Sequence, residues 1–356
     1  MKNKIAILPG DGIGPEVMNE ALKVLNVISI KNNLNFKFNT GLVGASAIDS
    51  EGNPFPDSTK KICDNSDAIL FGAIGDPKYD NNPKAKVRPE DGLLEMRKYL
   101  GLYANIRPVK TYDSLIDYSP IKKKIVSGTN FIVYRELTGG IYFGNKGISD
   151  DRTNAYDTCS YEIKEIERIS HLAFKEAQKR KKELTLIDKA NVLETSRLWR
   201  EVVQSISKIY PDIKVSFLFV DNAAMKIITN PNDFDVILTE NMFGDIITDE
   251  ASVITGSLGM LPSASIGENI SMYEPIHGSY PQATGKGIAN PMAMILSVAM
   301  MLNHSFDMKK EADIIEKAVE DGLLNNIVTE DINKENSYST SQVGDWISNK
   351  VADLLL

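Results

Sequence analysis

Asp245, Asp249 and Glu250 lie within six residues of each other in the segment NMFGDIITDE. On a helix, residues four apart share a face, so Asp245 and Asp249 face one direction and Glu250 points away. Two carboxylates so close repel each other unless a positive group lies between them, and their oxygens suit Mg²⁺ or Mn²⁺. The alternative is structural: Asp245 caps or complements a helix N-terminus, and Asp249 is simply solvated.

Three arginines, a tyrosine and a lysine are further candidates for chemistry. Arg97 and Arg107 lie in GLLEMRKYLGLYANIRPVK, and Arg135 precedes Tyr142 in IVYRELTGGIYFG. A guanidinium group binds a carboxylate through two parallel hydrogen bonds, so these arginines suit a substrate with two carboxylates. Lys189 lies where a predicted strand ends and a helix begins, a common place for functional side chains in α/β sheets. Taken singly, each of these residues has surface exposure as its alternative.

Two glycine-containing segments are candidates for ligand binding. GDGIGPE follows the first predicted strand, but Pro15 replaces the last glycine of the Rossmann fingerprint and no acidic residue ends the next strand. We therefore do not expect a Rossmann fold. YEPIHGSYPQATGKGIANP, residues 273–291, is a long loop before an apolar helix, a place where ligands are often held. A plain connection capped by Asn290 is the alternative.

Length and composition limit the class of protein. The chain has 356 residues, which favours two domains, and its net charge of −8 argues against a nucleic-acid-binding surface. The two cysteines, Cys63 and Cys159, exclude a disulfide scaffold and a multi-cysteine zinc site. There is no signal-peptide pattern at the N-terminus and no apolar stretch long enough for a bilayer. We therefore expect a cytoplasmic protein without membrane or nucleic-acid partners.

Short apolar runs alternate with segments of helical periodicity along most of the chain. The predicted strands include KIAIL, DAILFGAIG, NFIVYREL, LTLIDK, KVSFLFVD and FDVILTE, and helices are predicted near residues 15–30, 161–180 and 191–209. This alternation predicts an α/β protein with a largely parallel or mixed sheet. Residues 141–158 match neither period, and Gly144 and Gly147 indicate a hairpin or arm there.

In combination, these segments resemble the β-decarboxylating dehydrogenases, the family of isopropylmalate and isocitrate dehydrogenases. The resemblance runs from LPGDGIGPEV to VGDWI, practically the whole chain, and includes GLYANIRPV, RELTGGIYFG, DKANVLE, NMFGDIITDEAS and EPIHGS…GKGIANP in family order. It implies a two-domain α/β fold with a mixed sheet flanked by helices. One domain combines residues 1–102 with 256–356 and binds the cofactor. The other, residues 103–255, forms the dimer interface, holds the metal and substrate, and carries the arm near 141–158.

By position, the resemblance also assigns a role to each candidate side chain. It implies that Asp245 and Asp249 bind Mg²⁺ or Mn²⁺ together with Asp221 of the partner subunit. Tyr142 and Lys189 match the catalytic acid and base, and Lys189 too is supplied by the partner, so a complete site requires a homodimer. The remaining matches are the substrate-binding residues Arg97, Arg107, Arg135 and Asp221, and the cofactor-binding residues Ile13, Glu274, His277, Gly278, Ser279, Gln282 and Asn290.

The same resemblance implies that the helix around residues 90–97 contacts the third substituent of the substrate. The residues there are Glu90, Leu93 and Leu94, and Val192 extends the same apolar pocket. A third carboxylate bound in this pocket would lose its hydration without gaining a partner. An isopropyl group instead gains about 2 kcal/mol from burial. We therefore expect oxidative decarboxylation of isopropyl-substituted malate in leucine synthesis, with a D-malate or tartrate type of enzyme as the alternative.

Gln282 departs from the family pattern, in which an aspartate at this position binds the ribose hydroxyls of NAD and repels the 2′-phosphate of NADP. Glutamine still bonds a hydroxyl but repels no phosphate. In the family pattern, members that use NADP have a Lys-Tyr pair at the two positions where this chain has Gln282 and Ala283. Because no cation stands at this position to bind the phosphate, the sequence favours NAD.

Overall fold

The structure, a computed structural model, describes residues 3–80 and 87–355. Its strands are, in chain order, β1 (Lys4–Gly10), β2 (Lys37–Thr40), β3 (Ala68–Ala73), β4 (Leu102–Lys110), β5 (Asn130–Glu136), β6 (Lys146–Ile148), β7 (Ala155–Asp157), β8 (Glu183–Asp188), β9 (Lys214–Phe219), β10 (Val236–Thr239), β11 (Pro262–Gly267) and β12 (Ser271–Pro275). Its α-helices are α1 (Gly14–Lys31), α2 (Ala45–Glu51), α3 (Asp57–Asp64), α4 (Pro77–Asp80), α5 (Pro89–Tyr99), α6 (Lys123–Val126), α7 (Ile163–Lys179), α8 (Glu194–Ser207), α9 (Val220–Thr229), α10 (Asn241–Ser252), α11 (Met292–Ser305), α12 (Lys309–Leu324) and α13 (Thr340–Leu354).

The chain forms two compact units. Unit 1 combines Met1–Leu102 with Ser257–Leu356, and unit 2 is the continuous segment Tyr103–Gly256. In unit 1 the strand order is β2-β1-β3-β12-β11. The first four of these strands are parallel, and β11 runs antiparallel to β12. Strands from the C-terminal part of the chain therefore extend the sheet that the N-terminal strands begin.

Unit 2 has the strand order β4-β5-β10-β8-β9, with β4 antiparallel to β5 and the others parallel. Thr239 at the end of β10 pairs in register with Arg135 of β5 and with Ile187 of β8. The carboxyl ends of these three strands therefore meet at one edge of the sheet. In parallel α/β sheets this edge carries the functional groups, and here it is where Arg135, Lys189 and the start of α10 lie.

The predicted α/β class with a mixed sheet is confirmed. The predicted strands correspond to β1, β3, β5, β8, β9 and β10, and the predicted helices to α1, α7 and α8. Their apolar faces form the cores of the two units. The buried side chains include Leu8, Ile69 and Phe71 in unit 1 and Phe131 and Ile247 in unit 2. Burial of these apolar side chains stabilises each layer of helix on sheet.

Helix α11 is buried along most of its length, from Met292 to Leu302, and packs against α1, α12, β11 and β12. A helix that is apolar on all sides is either a core helix or a membrane span. Within the part of the chain that the structure describes, no helix combines the length and the apolar character needed to cross a bilayer. The apolar run AMILSVAMML is thus the central helix of unit 1.

The segment predicted as an arm contains the antiparallel hairpin of β6 and β7. Both strands are largely exposed, including the apolar side chains of Ile148 and Tyr156. A two-stranded hairpin is at best marginally stable by itself in water. This hairpin therefore presents open strand edges and apolar side chains that another surface can cover.

Candidate active site

Helix α10 carries the two aspartates of the predicted metal site. Glu240 precedes this helix, and its side chain accepts a hydrogen bond from the backbone N–H of Phe243 at 2.7 Å, which makes Glu240 the N-cap. The alternative in which Asp245 caps the helix is wrong, because Asp245 lies in the second turn. Asp245 and Asp249 instead share one face, as their spacing predicts.

The Asp245 carboxylate is held by two side chains that the sequence also singled out. Its Oδ1 accepts a hydrogen bond from Nη1 of Arg135, and its Oδ2 accepts one from the Tyr142 hydroxyl at 2.9 Å. Arg135 is fixed in turn: its Nε and Nη2 donate to Oδ1 of Asn241 at 3.1 and 2.9 Å, and the Asn241 amide donates to the Gly139 carbonyl at 3.1 Å. This network fixes a cation, a phenol and a carboxylate within contact of one another.

Tyr142 keeps its proton at neutral pH. Burial, together with the hydrogen bond that it donates to Asp245, raises the pKa of Tyr142 to about 12. A raised pKa favours the neutral phenol, so the side chain has a proton to give over the whole physiological range. This is the protonation state required of a general acid.

Arg107 brings a second cation to the same face of the sheet. It lies two residues after Asn105, whose partner across the strand pair is Arg135, so all three side chains project from one face. Arg107 Nη1 donates to Oγ1 of Thr248 at 2.6 Å and to Oδ1 of Asp249 at 3.4 Å. Both helical aspartates therefore contact an arginine, and the carboxylates' mutual repulsion is offset.

The three arginines are not surface residues. The side chains of Arg135, Arg107 and Arg97 are 4%, 11% and 13% exposed. The alternative of simple exposure is therefore wrong for each of them. Buried guanidinium groups require carboxylate or other acceptor partners, and each of these arginines contacts a carboxylate of its own unit.

Lys189 and Asp221 form a separate pair in unit 2. Lys189 Nζ donates to Oδ1 of Asp221 at 2.6 Å, and the ammonium group lowers the pKa of that carboxyl. The backbone N–H of Lys189 donates to Oγ of Ser196 at 3.0 Å, which fixes the turn between β8 and α8. Lys189 thus lies where the sequence predicted it, at a strand end, and already has an acidic neighbour.

Within one chain, the three predicted metal ligands do not form one cluster. Among residues 3–80 and 87–355, no group of three or more His, Cys, Asp and Glu side chains is arranged to hold a metal ion. Asp245 and Asp249 lie on α10, whereas Asp221 pairs with Lys189. Unit 2 therefore carries two separate sets of groups: the α10 cluster, built around Asp245, and the lysine pair, Lys189 with Asp221.

In unit 1, helix α5 carries the residues predicted to contact the substrate. Glu90, Leu94 and Arg97 recur at i, i+4 and i+7, so they share one face of the helix. Leu94 is 42% exposed, while Leu93 is half-buried and packs against the core of unit 1. Arg97 Nη2 contacts Oε1 of Glu274 at 3.4 Å. Its buried Nε has no hydrogen-bond partner among the described residues, so the guanidinium has unused donor capacity.

Val192 was predicted to extend the same apolar surface. It belongs to unit 2, in the turn after Lys189, and it is exposed. An exposed β-branched side chain next to a candidate base gains no stabilisation from its own unit. Its apolar surface remains available for a ligand.

A cavity of about 640 Å³ in unit 1 contains several of the predicted cofactor-binding residues. Its wall includes the predicted Ile13, His277, Gly278 and Asn290. Residues that sequence reasoning missed are also on this wall: Ser257, Leu258, Glu330, Asp331 and Lys334. A cavity of this size with mixed apolar and polar walls is typical of a cofactor site.

Three other predicted cofactor residues lie outside the described wall of this cavity. The Ser279 carbonyl accepts a hydrogen bond from the Ile13 backbone N–H at 2.8 Å, so Ser279 joins the loop to the β1–α1 turn. At Gly12, with φ +57°, a Cβ atom would lie 2.0 Å from that carbonyl, so this contact requires glycine. Glu274 is buried beside Arg97, and Gln282 is exposed in a short turn.

His277 has an atom without a partner. Its Nδ1 lies 3.0 Å from the Gly278 carbonyl, whereas its Nε2 is buried and has no hydrogen-bond partner among the described residues. Burial lowers the pKa of His277, so the ring is neutral. With Nδ1 donating its hydrogen to the carbonyl, Nε2 is a free acceptor for an N–H group of a ligand.

Asn290 has both of the roles considered for it. Its Oδ1 accepts a hydrogen bond from the backbone N–H of Met292 at 3.0 Å, which satisfies the start of α11. Its Nδ2 donates to Oδ2 of Asp331 at 3.1 Å, on the wall of the cavity. The loop is therefore a connection with a cap and a cavity wall at the same time.

Comparison with known proteins determines the family. Residues 4–347 match the family model described as Isocitrate/isopropylmalate dehydrogenase. The chain belongs to the isocitrate/isopropylmalate dehydrogenase family. It is 52% identical over 349 residues to a 3-isopropylmalate dehydrogenase of Bacteroides fragilis, with 98% of each chain covered. It is 56% identical over 334 residues to one of Oceanobacillus iheyensis, with 93% of this chain and 90% of that one covered.

A solved structure has the same fold. The crystal structure of isocitrate dehydrogenase from Methylococcus capsulatus matches with a TM-score of 0.88 and 32% sequence identity, covering 98% of this chain and 99% of that one. The isocitrate/isopropylmalate dehydrogenase family therefore accounts for the whole length of this chain. The resemblance that its motifs predicted is confirmed.

Proposed function

We propose that this chain catalyses the metal-dependent, NAD-linked oxidation and decarboxylation of 3-isopropylmalate to 4-methyl-2-oxopentanoate and CO₂, a step of leucine synthesis. The observation that carries the proposal is the α10 cluster, in which Arg135, Tyr142 and Asp245 contact one another. The relatives named 3-isopropylmalate dehydrogenase, at 52% and 56% identity, support this substrate.

The substrate's two carboxylates are the proposed ligands of Arg97, Arg107 and Arg135. Each guanidinium now contacts a carboxylate of the chain itself, and an anionic substrate can share or replace that contact. The exposed Leu94 offers an apolar surface to the alkyl substituent. A third carboxylate beside Leu94 and Glu90 would meet an apolar side chain and a like charge, which argues against isocitrate.

Asp245 and Asp249 would hold Mg²⁺ or Mn²⁺ together with Asp221 of the partner subunit. Their carboxylate oxygens fit such an ion, since hard cations prefer oxygen ligands and the two groups share one helical face. When bound, the ion supplies Lewis-acid stabilisation of negative charge on oxygen, and NAD supplies the hydride acceptor. The bonds from Arg135 and Tyr142 hold the Asp245 carboxylate in a fixed orientation.

Lys189 and Tyr142 are the proposed proton carriers. In its neutral amine form, Lys189 takes the proton of the substrate's 2-hydroxyl, directly or through water. In the free chain the ammonium form of Lys189 donates a hydrogen bond to Asp221, which orients the side chain. Tyr142, which is neutral, gives its proton to the carbon that loses CO₂. The two roles differ, and so do the environments of the two groups.

The proposed site requires two copies of the chain. Supporting this, neither the lysine pair nor the α10 cluster brings three metal-binding side chains together among the described residues, and the proposed site uses residues of both. Helices α9 and α10 also expose large apolar side chains, Met225, Ile246 and, just beyond α10, Val253. Together with the open hairpin of the arm, these side chains fit the interface of a homodimer, in which a two-fold axis repeats every contact.

NAD is the proposed cofactor, bound in the cavity of unit 1. The free acceptor at His277 Nε2 fits an amino group such as that of adenine, and the cavity volume suits part of a dinucleotide. Gln282 lies outside the described cavity wall, so repulsion of a 2′-phosphate does not arise there. Lys334, an exposed cation on the wall, is the group that could attract a phosphate.

Lys334→Glu is expected to lower kcat/KM for NADP by about tenfold and that for NAD less, because it replaces the proposed cationic partner of the 2′-phosphate by an anion. The measurement is the initial rate of absorbance at 340 nm with each cofactor. Lys310→Glu, an exposed lysine of α12 in the same unit but outside the described cavity wall, is the matched control. Equal effects of the two substitutions on NADP use would exclude a specific role for Lys334.

A panel of four substrates tests the proposed function. The wild-type protein, with Mg²⁺ or Mn²⁺, is offered 3-isopropylmalate, D-malate, tartrate and isocitrate with NAD and with NADP, and reduced cofactor is followed at 340 nm. The highest kcat/KM is expected for 3-isopropylmalate with NAD. A higher value for D-malate or tartrate would replace the proposal by the alternative within the same family.

Leu94→Ala is expected to lower kcat/KM for 3-isopropylmalate by about tenfold, because the lost apolar contact was worth one to two kcal/mol, roughly. The value for D-malate, which lacks the alkyl group, should hardly change. Leu324→Ala removes an exposed leucine of α12 in the same unit and is the control. A parallel fall for both substrates would contradict a contact between Leu94 and the isopropyl group.

A further inference from the structure

Glu16, in the first turn of α1, binds the tip (residues 285–287) of the long loop 273–291, named here the cofactor loop. Its Oε1 accepts a hydrogen bond from the Gly285 backbone N–H at 2.6 Å, and its Oε2 accepts one from the Gly287 N–H at 3.2 Å. Both glycines have positive φ, +76° and +62°, which side chains rarely tolerate. Successive backbone N–H groups turned toward one anion form an anion-binding nest. The tip of the loop is therefore shaped around this carboxylate.

The tip connects two limbs that both line the cavity. The limb before it contributes His277, Gly278 and Tyr280, and the limb after it contributes Ile288, Ala289 and Asn290. The second limb is also tied to the start of α13, where Thr340 N–H donates to the Gly287 carbonyl at 2.8 Å and Thr340 Oγ1 to the Ala289 carbonyl at 2.6 Å. Glu16 joins the tip between the limbs to α1, which begins directly after Ile13 of the same wall.

We propose that Glu16 is a positioning residue for the dinucleotide: its carboxylate keeps the loop in the shape that the cofactor binds, without touching the cofactor. This inference rests on the proposed cofactor site. Without the carboxylate, two N–H groups lose a charged acceptor, and the tip has more conformations available. Cofactor binding must then order the loop, so the affinity for NAD falls while the bound complex reacts normally.

The test is Glu16→Ala in the full-length protein. The KM for NAD and the dissociation constant of NADH, from fluorescence titration, are expected to rise about tenfold, because binding must reorder a tip that has lost both charge-assisted hydrogen bonds to the carboxylate. kcat and the KM for 3-isopropylmalate should change by less than about twofold, because the loop has been reordered once NAD is bound. Glu16→Gln keeps an acceptor oxygen and should give an intermediate KM for NAD.

Limited digestion with trypsin measures the conformational freedom of the loop directly. Lys286 is exposed at the tip, between the two glycines that Glu16 holds. Cleavage after Lys286 should be faster in Glu16→Ala than in the wild type, and saturating NAD should suppress it in both. Glu311→Ala, which removes an acidic residue from the first turn of α12, is the matched control for charge at a helix N-terminus.

The outcomes are distinguishable. Unchanged NAD affinity and unchanged cleavage in Glu16→Ala would overturn the role of Glu16. A comparable loss of affinity for NAD and for 3-isopropylmalate, with a lower Tm, would overturn it as well, because a positioning role acts on the dinucleotide alone. Failure of the wild-type protein to bind NAD would instead overturn the proposed function.

Discussion

Lys189→Met is expected to lower kcat by about 10³-fold, the contribution that a positioned general base typically makes. Methionine keeps the length and apolar stem of lysine but has no amine to take the hydroxyl proton. It also ends the hydrogen bond to Asp221, whose pKa should rise toward its ordinary value. The measurement is the steady-state rate with 3-isopropylmalate, NAD and Mn²⁺, together with the dissociation constant of NADH, which should stay unchanged.

Lys214→Met is the control for that variant. Lys214 is an exposed lysine of unit 2 that also pairs with a carboxylate, Glu183, at 2.9 Å. Its replacement removes an ion pair of the same kind away from the candidate site, and surface ion pairs contribute little to stability. A Lys189→Met protein with near-normal turnover would refute the assignment of Lys189 as the base.

Asp245→Asn is expected to lower kcat/KM by about 10³-fold, since a bound cation contributes several kcal/mol to catalysis and each 1.36 kcal/mol is tenfold. The amide keeps an oxygen for Arg135 or Tyr142 but loses the charge that holds a divalent ion. Titration with Mn²⁺ should show weaker binding in parallel with the activity. Stripping the wild-type enzyme with a chelator should abolish turnover, and adding Mn²⁺ should restore it.

Glu250→Gln is the control for Asp245→Asn, because it removes one negative charge from α10 and leaves the Asp245 carboxylate in place. Glu250 lies next to Asp249 on the same helix but does not share its face. Its substitution should leave Mn²⁺ binding and kcat/KM close to the wild-type values. If Asp245→Asn bound Mn²⁺ as tightly as the wild type, the proposed metal site would be wrong.

The two inactive variants together test whether the sites are shared between subunits. If the sites are shared as proposed, a hybrid dimer of one Lys189→Met chain and one Asp245→Asn chain contains one site in which Asp245 of the first chain meets Lys189 of the second. Unfolding and refolding an equal mixture should therefore recover about a quarter of the wild-type activity, since half of the dimers are hybrids and each has one intact site. Sites contained within single chains would recover none.

Much of the fold was predictable because its signals are local. β1, β3 and β10 are short apolar runs bounded by turn residues, and α7 and α8 have a clear apolar stripe. The pairing of β12 with β3, by which β12 and β11 extend the sheet of unit 1, was not predicted. Pairing between strands so distant in sequence leaves no local pattern from which it can be read.

The shared helical face of Asp245 and Asp249 was predictable, because it follows from a spacing of four residues in a helix. The cavity wall was predictable only in part. Asp331 and Lys334 follow the cofactor loop by some forty residues and carry no motif, so only the packing of unit 1 reveals them. The partners of Arg97 and Arg135, Glu274 and Asn241, were likewise invisible, because a hydrogen bond between distant residues has no periodic signature.

Unit 1 is built from both ends of the chain, so its two parts leave the ribosome at different times. β3 lies between β1 and β12, yet about 200 residues separate Ala73 from Ser271, so translation at roughly 5–20 residues per second leaves this edge uncovered for about 10–40 s. Unit 2, a continuous segment, emerges complete during that interval. The nascent chain therefore exposes an apolar strand, AILFGA, that a chaperone or another ribosome-bound chain can reach until its neighbour arrives.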